Sequence, residues 1–215
     1  MAKYTRDSII ELCSRFSMIS NERFHSNMDA IEYVERHNLK GDIIEIGVWK
    51  GGSILSMMMA SVNYPQFDRN FHLYDTFEGM TAAGENDVDL NNNTATSLME
   101  SAPFIRCISS LEEVKNNINS NCPPNLKIEY HVGDILQNTY IPEKIAVLRL
   151  DTDWYESTKH ELETFYPNVV DGGVIIIDDY GHWKGCRQAV DEFLQTHKVI
   201  GPYQIDYTGI YFYKP

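Results

Sequence analysis

Ile145 to Asp179 reads IAVLRLDTDWYESTKHELETFYPNVVDGGVIIIDD. Its two apolar runs, Ile145–Leu150 and Val174–Ile177, have the length and composition of buried strands. The first ends in Asp151 and Asp153, the second in Asp178 and Asp179. Between them, 155–166 reads as a helix with Leu162 and Phe165 facing inward, stopped near Pro167, and Asp171-Gly172-Gly173 reads as a turn into the second strand. Strand, helix and strand in succession make a parallel pair, so the four aspartates meet at the same sheet edge. They would repel one another there unless a cation or a reaction needed them.

The remainder of the chain extends this pattern. Asp42–Ile46 (DIIEI) is a short buried strand, followed by the turn GVWKGGS and a helical run from Ser53 to Val62. Such a turn presents backbone N–H groups and a helix N-terminus to a ligand. Its spacing, Glu45-x-Gly47-x-x-x-Gly51-Gly52-Ser53, is neither the dinucleotide fingerprint nor a P-loop. A second strand, Phe71–Tyr74, ends in Asp75, at the position where doubly wound sheets commonly bind ribose hydroxyls, so the pair points to an adenosine-bearing ligand. Leu126–Val132 is a third strand, ending in Gly133-Asp134, and two closing runs, Tyr203–Tyr207 and Ile210–Tyr213, form a hairpin around Thr208-Gly209. The expected fold is α/β and Rossmann-like, a mostly parallel seven-stranded sheet with a C-terminal antiparallel hairpin, as one domain over 1–215.

Four further segments are read as helices. Ile9, Ile10, Leu12, Cys13 and Phe16 follow Asp7 at helical spacing, as Met28, Ile31 and Val34 follow Asn27. These two helices either pack simply on the sheet or cover the active site or a homo-oligomer contact. The third begins at a capping box, Ser110 with Glu113, and is stopped by Pro123. From Thr76 to Ile108 periodicity dissolves into GMTAAGENDVDLNNNTATS, which reads as a mobile lid. Gly185–Gln195 is the last helix, with Cys186, Ala189, Val190 and Phe193 on one face.

Composition limits the partners. Of 215 residues, 43% are hydrophobic and 23% charged, as in soluble globular chains. A net charge of -13 without a Lys/Arg cluster argues against nucleic acid and suits a divalent cation. No apolar run reaches membrane-spanning length, and MAKYTRDSIIELCSRF lacks the apolar core of a signal peptide, so no membrane partner and a cytoplasmic location are expected. Cys13, Cys107, Cys122 and Cys186 are scattered and no histidine stands at ligand spacing, which reads as structural thiols rather than a zinc site. His25, His37, His72, His131, His160 and His197 sit apart and read as structural or exposed.

The sheet with its E-x-G turn and acidic second strand resembles the class I S-adenosylmethionine-dependent methyltransferases. More specifically, GDIIEIGVWKGGS, YDTFEGM, LRLDTDWYEST and GGVIIIDDYGHWKGCRQAVDEF resemble the macrocin O-methyltransferase family, whose members methylate sugar hydroxyls of antibiotics. The likeness runs from Gly41 to Phe193, and the chain is short at the N-terminus, where members usually carry more helix. It implies that Asp151, Asp178 and Asp179 hold Mg²⁺ and that Asp153 is the general base. It implies further that Glu45, Gly47, Gly51 and Ser53 hold the methionine and ribose of S-adenosyl-L-methionine, with Asp75 and Thr76 at the ribose and Gly133-Asp134 near the adenine.

Elementary chemistry agrees with that assignment. An alcohol is a poor nucleophile toward a sulfonium methyl, and a hard cation on carboxylate oxygens lowers the pKa of a hydroxyl and fixes its position. Asp153, two residues beyond Asp151, is placed to take the proton, with His182 in reserve. Bland competitors stand beside each reading: Asp153 as a helix cap, Asp178-Asp179 as a solvated turn, His182 and Trp183 as loop packing, and Trp154 and Tyr155 as half core, half pocket wall. Competing functions are methylation of a catechol-like phenol, silent cofactor binding and, distantly, a phosphoacceptor receiver domain. The last needs an acidic pair after the first strand, where this chain has Glu45-Ile46-Gly47.

Overall fold

In the computed structural model, which describes residues 4–122 and 124–215, seven strands form one sheet. They are β1 (Asp42–Ile46), β2 (Asn70–Asp75), β3 (Lys127–Val132), β4 (Ile145–Leu150), β5 (Val169–Ile177), β6 (Ile200–Gln204) and β7 (Ile210–Tyr213), in the order β3-β2-β1-β4-β5-β7-β6. The first five are parallel; β7 runs antiparallel to β5, and β6 to β7. The central strands β1, β4 and β5 are apolar along most of their length because both faces are covered, and Glu45 and Arg149 are the buried charges within them. On one side lie α1 (Arg6–Cys13), α2 (Asn21–Arg36), α3 (Gly52–Ser61) and α5 (Leu111–Asn121). On the other lie α6 (Tyr155–Phe165), α7 (Lys184–Thr196) and the short α4 (Ala95–Ser101). No helix among the described residues is long and apolar enough to cross a membrane.

Several boundaries differ from the sequence reading, each for a local reason. The first two helices begin earlier: the Thr5 hydroxyl caps α1 and the Ser20 hydroxyl caps α2. Asn27 is not a cap but a buried residue inside α2, donating to the hydroxyls of Ser53 and Ser56. Asp171-Gly172-Gly173 is not a turn before β5 but part of it, where the register against β4 slips between Ile145 and Val147. β6 lies at 200–204 rather than 203–207, because Gly201-Pro202 hides its start from a pattern search while Asp206 organises the turn. Pro123, read as the stop of α5, lies outside the described residues.

The segment 76–108 is not structureless. It contains α4 and a short 3-10 turn at Pro103–Arg106, and bridges pair Val88 with Thr94 and Asp89 with Trp183. Buried Asp87 ties it down, accepting from the backbone N–H of Gly84 (2.7 Å) and of Tyr155 (2.8 Å). A signal dispersed over Asp87, Asp89 and Thr94 has no period to read.

One charged seam crosses the sheet. Glu45 on β1 and Arg149 on β4 are cross-strand neighbours, both 0% exposed, with the guanidinium donating to Glu45 at 2.8 Å and to Asp151 at 2.7 Å. Burial pushes the Glu45 carboxyl up to about 7, although Arg149 pulls it down.

Two outcomes follow from this framework. Gly47 sits at φ +84°, and a Cβ there would lie 1.9 Å from the Asp151 carbonyl oxygen. Gly47→Ala should therefore cost about 3 kcal/mol or more, lowering the melting temperature by roughly 6–12 °C in a thermal scan. Because the folded pKa of Glu45 is raised, the folded chain holds a proton that the unfolded chain has lost. Its contribution is complete below the ordinary glutamate value and disappears as pH rises through about 7. Urea unfolding without divalent cations should show lower stability at about pH 8 than at about pH 5.5, and Glu45→Gln should shrink that difference.

Candidate active site

The strand order reverses at β1 and β4, and the C-terminal ends of the parallel strands open there into a cavity of about 650 Å³. Backbone hydrogen bonds staple the strand ends together: Asp151 N–H to the Ile46 carbonyl (2.8 Å), Asp178 N–H to Leu150 (3.0 Å) and Gly47 N–H to Tyr74 (2.9 Å). The acidic residues after β4 and β5 are thus fixed by the sheet itself.

Asp151, Asp153 and Asp179 bring carboxylate oxygens within 4.8 Å of one another. Asp179 is buried, and its Oδ2 has no hydrogen-bond partner. Burial and the neighbouring carboxylates push Asp153 and Asp179 well above the usual range, as expected of like charges sharing a small volume. The donor set is all oxygen, and the orphaned Asp179 oxygen is what a hard divalent cation would complete; these residues fit Mg²⁺.

Asp178 stands apart from this group. It is buried, and its two oxygens accept from the guanidiniums of Arg149 and Arg23. The expected cation set of Asp151, Asp178 and Asp179 therefore differs from the set the geometry gathers: Asp178 lines the cavity too, but both of its oxygens are taken up by the arginines. Burial still raises its carboxyl to about 6 against their pull. Neither member of the 178–179 pair is a solvated turn residue.

Asp153 does not cap α6. The N-cap of that helix is Trp154, without a side-chain hydrogen bond, and the orphan N–H of Tyr155 is taken by Asp87 from the loop segment. Asp153 instead holds φ at +69° and accepts from Trp183 Nε1 at 2.6 Å. Trp183 meets Trp154 edge to face at 5.1 Å, and His182 meets Trp183 at 4.9 Å, so all three form one wall of the cavity. Tyr155 is no part of that wall; its hydroxyl donates to Glu192 on α7.

The residues expected around a cofactor divide in two. Gly47, Ser53, Asp75, Thr76, Gly133 and Asp134 line the cavity. Glu45 and Gly51 do not. Glu45 points along the Ile43 face of β1 into its pairing with Arg149, and Gly51, at φ +87°, starts α3 against Val114 and Ile118. Asp75 has a structural task too: it accepts the N–H groups of Val48 (2.6 Å), Trp49 (3.0 Å) and Phe77 (2.7 Å), binding the glycine turn to β2. Asp134 caps the short turn Ile135–Gln137. At Gly133 an added Cβ would meet nothing within 4 Å, so the backbone faces open space.

Sequence reading missed Arg23, Arg149 and Asp87. Arg149 left a signal, a lone charge inside an apolar strand, which is affordable only with buried partners. Arg23 left none: it reaches Asp178 across 155 residues of sequence.

Comparison with known proteins places nearly the whole chain in a family. The family model described as Macrocin-O-methyltransferase (TylF) matches residues 12–214, a wider span than the motifs alone. Demethyldecarbamoylnovobiocin O-methyltransferase of Streptomyces niveus is 31% identical over 199 residues, covering 91% of this chain and 74% of that protein. Mycinamicin III 3''-O-methyltransferase of Micromonospora griseorubida is 28% identical, with 91% and 77% covered. Among solved structures, the O-methyltransferase NovP superposes with a TM-score of 0.79 at 29% identity, covering 93% of this chain and 82% of that one. With nearly its whole length matched, the chain belongs to the macrocin O-methyltransferase family and is an O-methyltransferase.

Proposed function

We propose that the protein transfers a methyl group from S-adenosyl-L-methionine to a sugar hydroxyl in a Mg²⁺-dependent reaction. The observation that carries this reading is the meeting of Asp151, Asp153 and Asp179 at the floor of the cavity that Gly47, Asp75, Gly133 and Asp134 line. A relative from Streptomyces olivaceus, 29% identical over 199 residues and named for a rhamnosyl-bearing tetracenomycin acceptor, supports a sugar substrate.

Gly47, Ser53, Asp75, Thr76, Gly133 and Asp134 would hold the cofactor, and the volume suits a ligand of that size. Asp151 and Asp179 would hold the cation, which supplies Lewis acidity and a fixed position for the acceptor oxygen. Asp178 acts through the arginines, which hold it and Asp151 in place. Asp153, steadied by Trp183, takes the acceptor proton as the new C–O bond forms and the C–S bond breaks. Trp154, Trp183 and His182 shape the acceptor side and keep water from the reacting atoms.

The assignment separates two aspartates experimentally. Asp153→Asn should keep Mg²⁺ and cofactor affinity in calorimetry while turnover falls about 10²–10⁴-fold. Asp179→Asn should weaken Mg²⁺ binding itself. Loss of Mg²⁺ binding in Asp153→Asn would make that residue a ligand and remove it as base. Chelation should abolish turnover, and added Mg²⁺ should restore it. The acceptor class is read by mass spectrometry of products from a panel of deoxysugar glycosides and catechols: methylated glycosides are expected. Methylation of catechol alone would overturn the sugar reading, and cofactor binding without any product would overturn the enzymatic one.

A further inference from the structure

Away from the cavity, β2 and β3 bring together a second group of metal-ligating side chains. His72 lies opposite Glu129, and Tyr74 opposite His131, so all four share one face of the strand pair. His72 Nδ1 is 3.0 Å from His131 Nε2 and 3.7 Å from Glu129 Oε2, and the three ligand atoms lie within 4.8 Å of one another. None of these residues lines the cavity.

We propose that His72, Glu129 and His131 form a binding site for a zinc-class transition-metal ion, distinct from the acidic cluster. Two imidazole nitrogens and one carboxylate are the donor set of zinc, whereas Mg²⁺ prefers oxygen alone. The surroundings are those of a built site. Asp42 Oδ2 lies 3.2 Å from His72 Nε2 and accepts its proton in hydrogen bonding, which leaves the Nδ1 lone pair facing the other two ligands. Asp42 is itself held by the Asn70 N–H at 2.9 Å. The His131 ring stacks with those of Tyr74 (4.2 Å) and Tyr140 (5.0 Å).

The ion would replace the proton between the two rings. Tetrahedral zinc with Zn–N bonds of about 2.0–2.1 Å sets its donors roughly 3.3 Å apart, so the nitrogens open by a few tenths of an ångström. The His131 proton passes from Nε2 to Nδ1, and no net charge is released. The Glu129 side chain is 47% exposed, so the ion reaches the site from solvent and keeps a fourth position for water. The ligands come from two strands, 59 residues apart for the histidines, and therefore show no ligand spacing in sequence.

Calorimetric titration with ZnCl₂, in excess Mg²⁺ to fill the oxygen site, tests this on the full chain. One equivalent should bind the wild type and Asp179→Asn alike. Affinity should fall tenfold or more in His131→Ala and in Glu129→Gln, the latter isosteric and half-exposed so that folding is preserved. The proposal is overturned if the wild type takes up no Zn²⁺, if Glu129→Gln binds it unchanged, or if Asp179→Asn alone removes it.

Discussion

The structure depends on a guanidinium with no access to water. Arg149 lies under the C-terminal edge of the sheet, between Glu45, Asp151 and Asp178, and bonds to all three. Removing any one charge from such a cluster leaves others buried and unpaired, at a cost of several kcal/mol per ion. The arginine therefore permits the acidic edge to exist before any ligand arrives. It also sets which acids are neutralised. Glu45, Asp151 and Asp178 face it, while Asp153 and Asp179 form no ion pair with it, and burial and the neighbouring carboxylates hold their protons well above the usual range.

Arg23 extends this logic to the N-terminal helices. It bonds Asp178 from α2 and, at 2.9 Å, Asp206 in the turn before β7, so the helix, the acidic edge and the C-terminal hairpin share one charge network. Phe24, Met28, Ile31 and Val34 on the same helix are buried against the sheet, each contributing on the order of 1.5–3 kcal/mol. The alternatives of packing and covering the site were thus not alternatives. One face of α2 packs, while Arg23 and the residues just before the helix, Phe16 to Ile19, line the cavity.

What was legible in the sequence follows from this division. Strands that are apolar but for one residue, such as Ile145–Leu150 with its Arg149, announce themselves, and the abrupt aspartates after them mark the sheet edge where chemistry gathers. Side-chain direction at that edge was not legible. Glu45 follows the alternation of its strand and points into the core, and Asp178 turns to two arginines that only the folded chain brings near. The order of the segment 76–108 was hidden for the same reason: its anchor, Asp87, takes its partner from α6, which lies far along the chain. The histidines of β2 and β3 were read as separate for want of knowledge that the strands are neighbours.

Asp153 carries the last consequence of the charge arrangement. A non-glycine residue at φ +69° costs on the order of 1–3 kcal/mol unless its surroundings fix it, although aspartate tolerates this region better than most. Here the surroundings do fix it: Asp151 on the preceding strand end, α6 beginning two residues on and held by Asp87, and Trp183 bonding the carboxylate at 2.6 Å. A relaxed backbone would let the side chain cap α6, which is the ordinary place for an aspartate in that position. Because Asp87 already takes the N–H of Tyr155, Asp153 is free to face the cavity. The tether that orders the loop segment and the conformation that exposes the proposed base are in this way the same constraint.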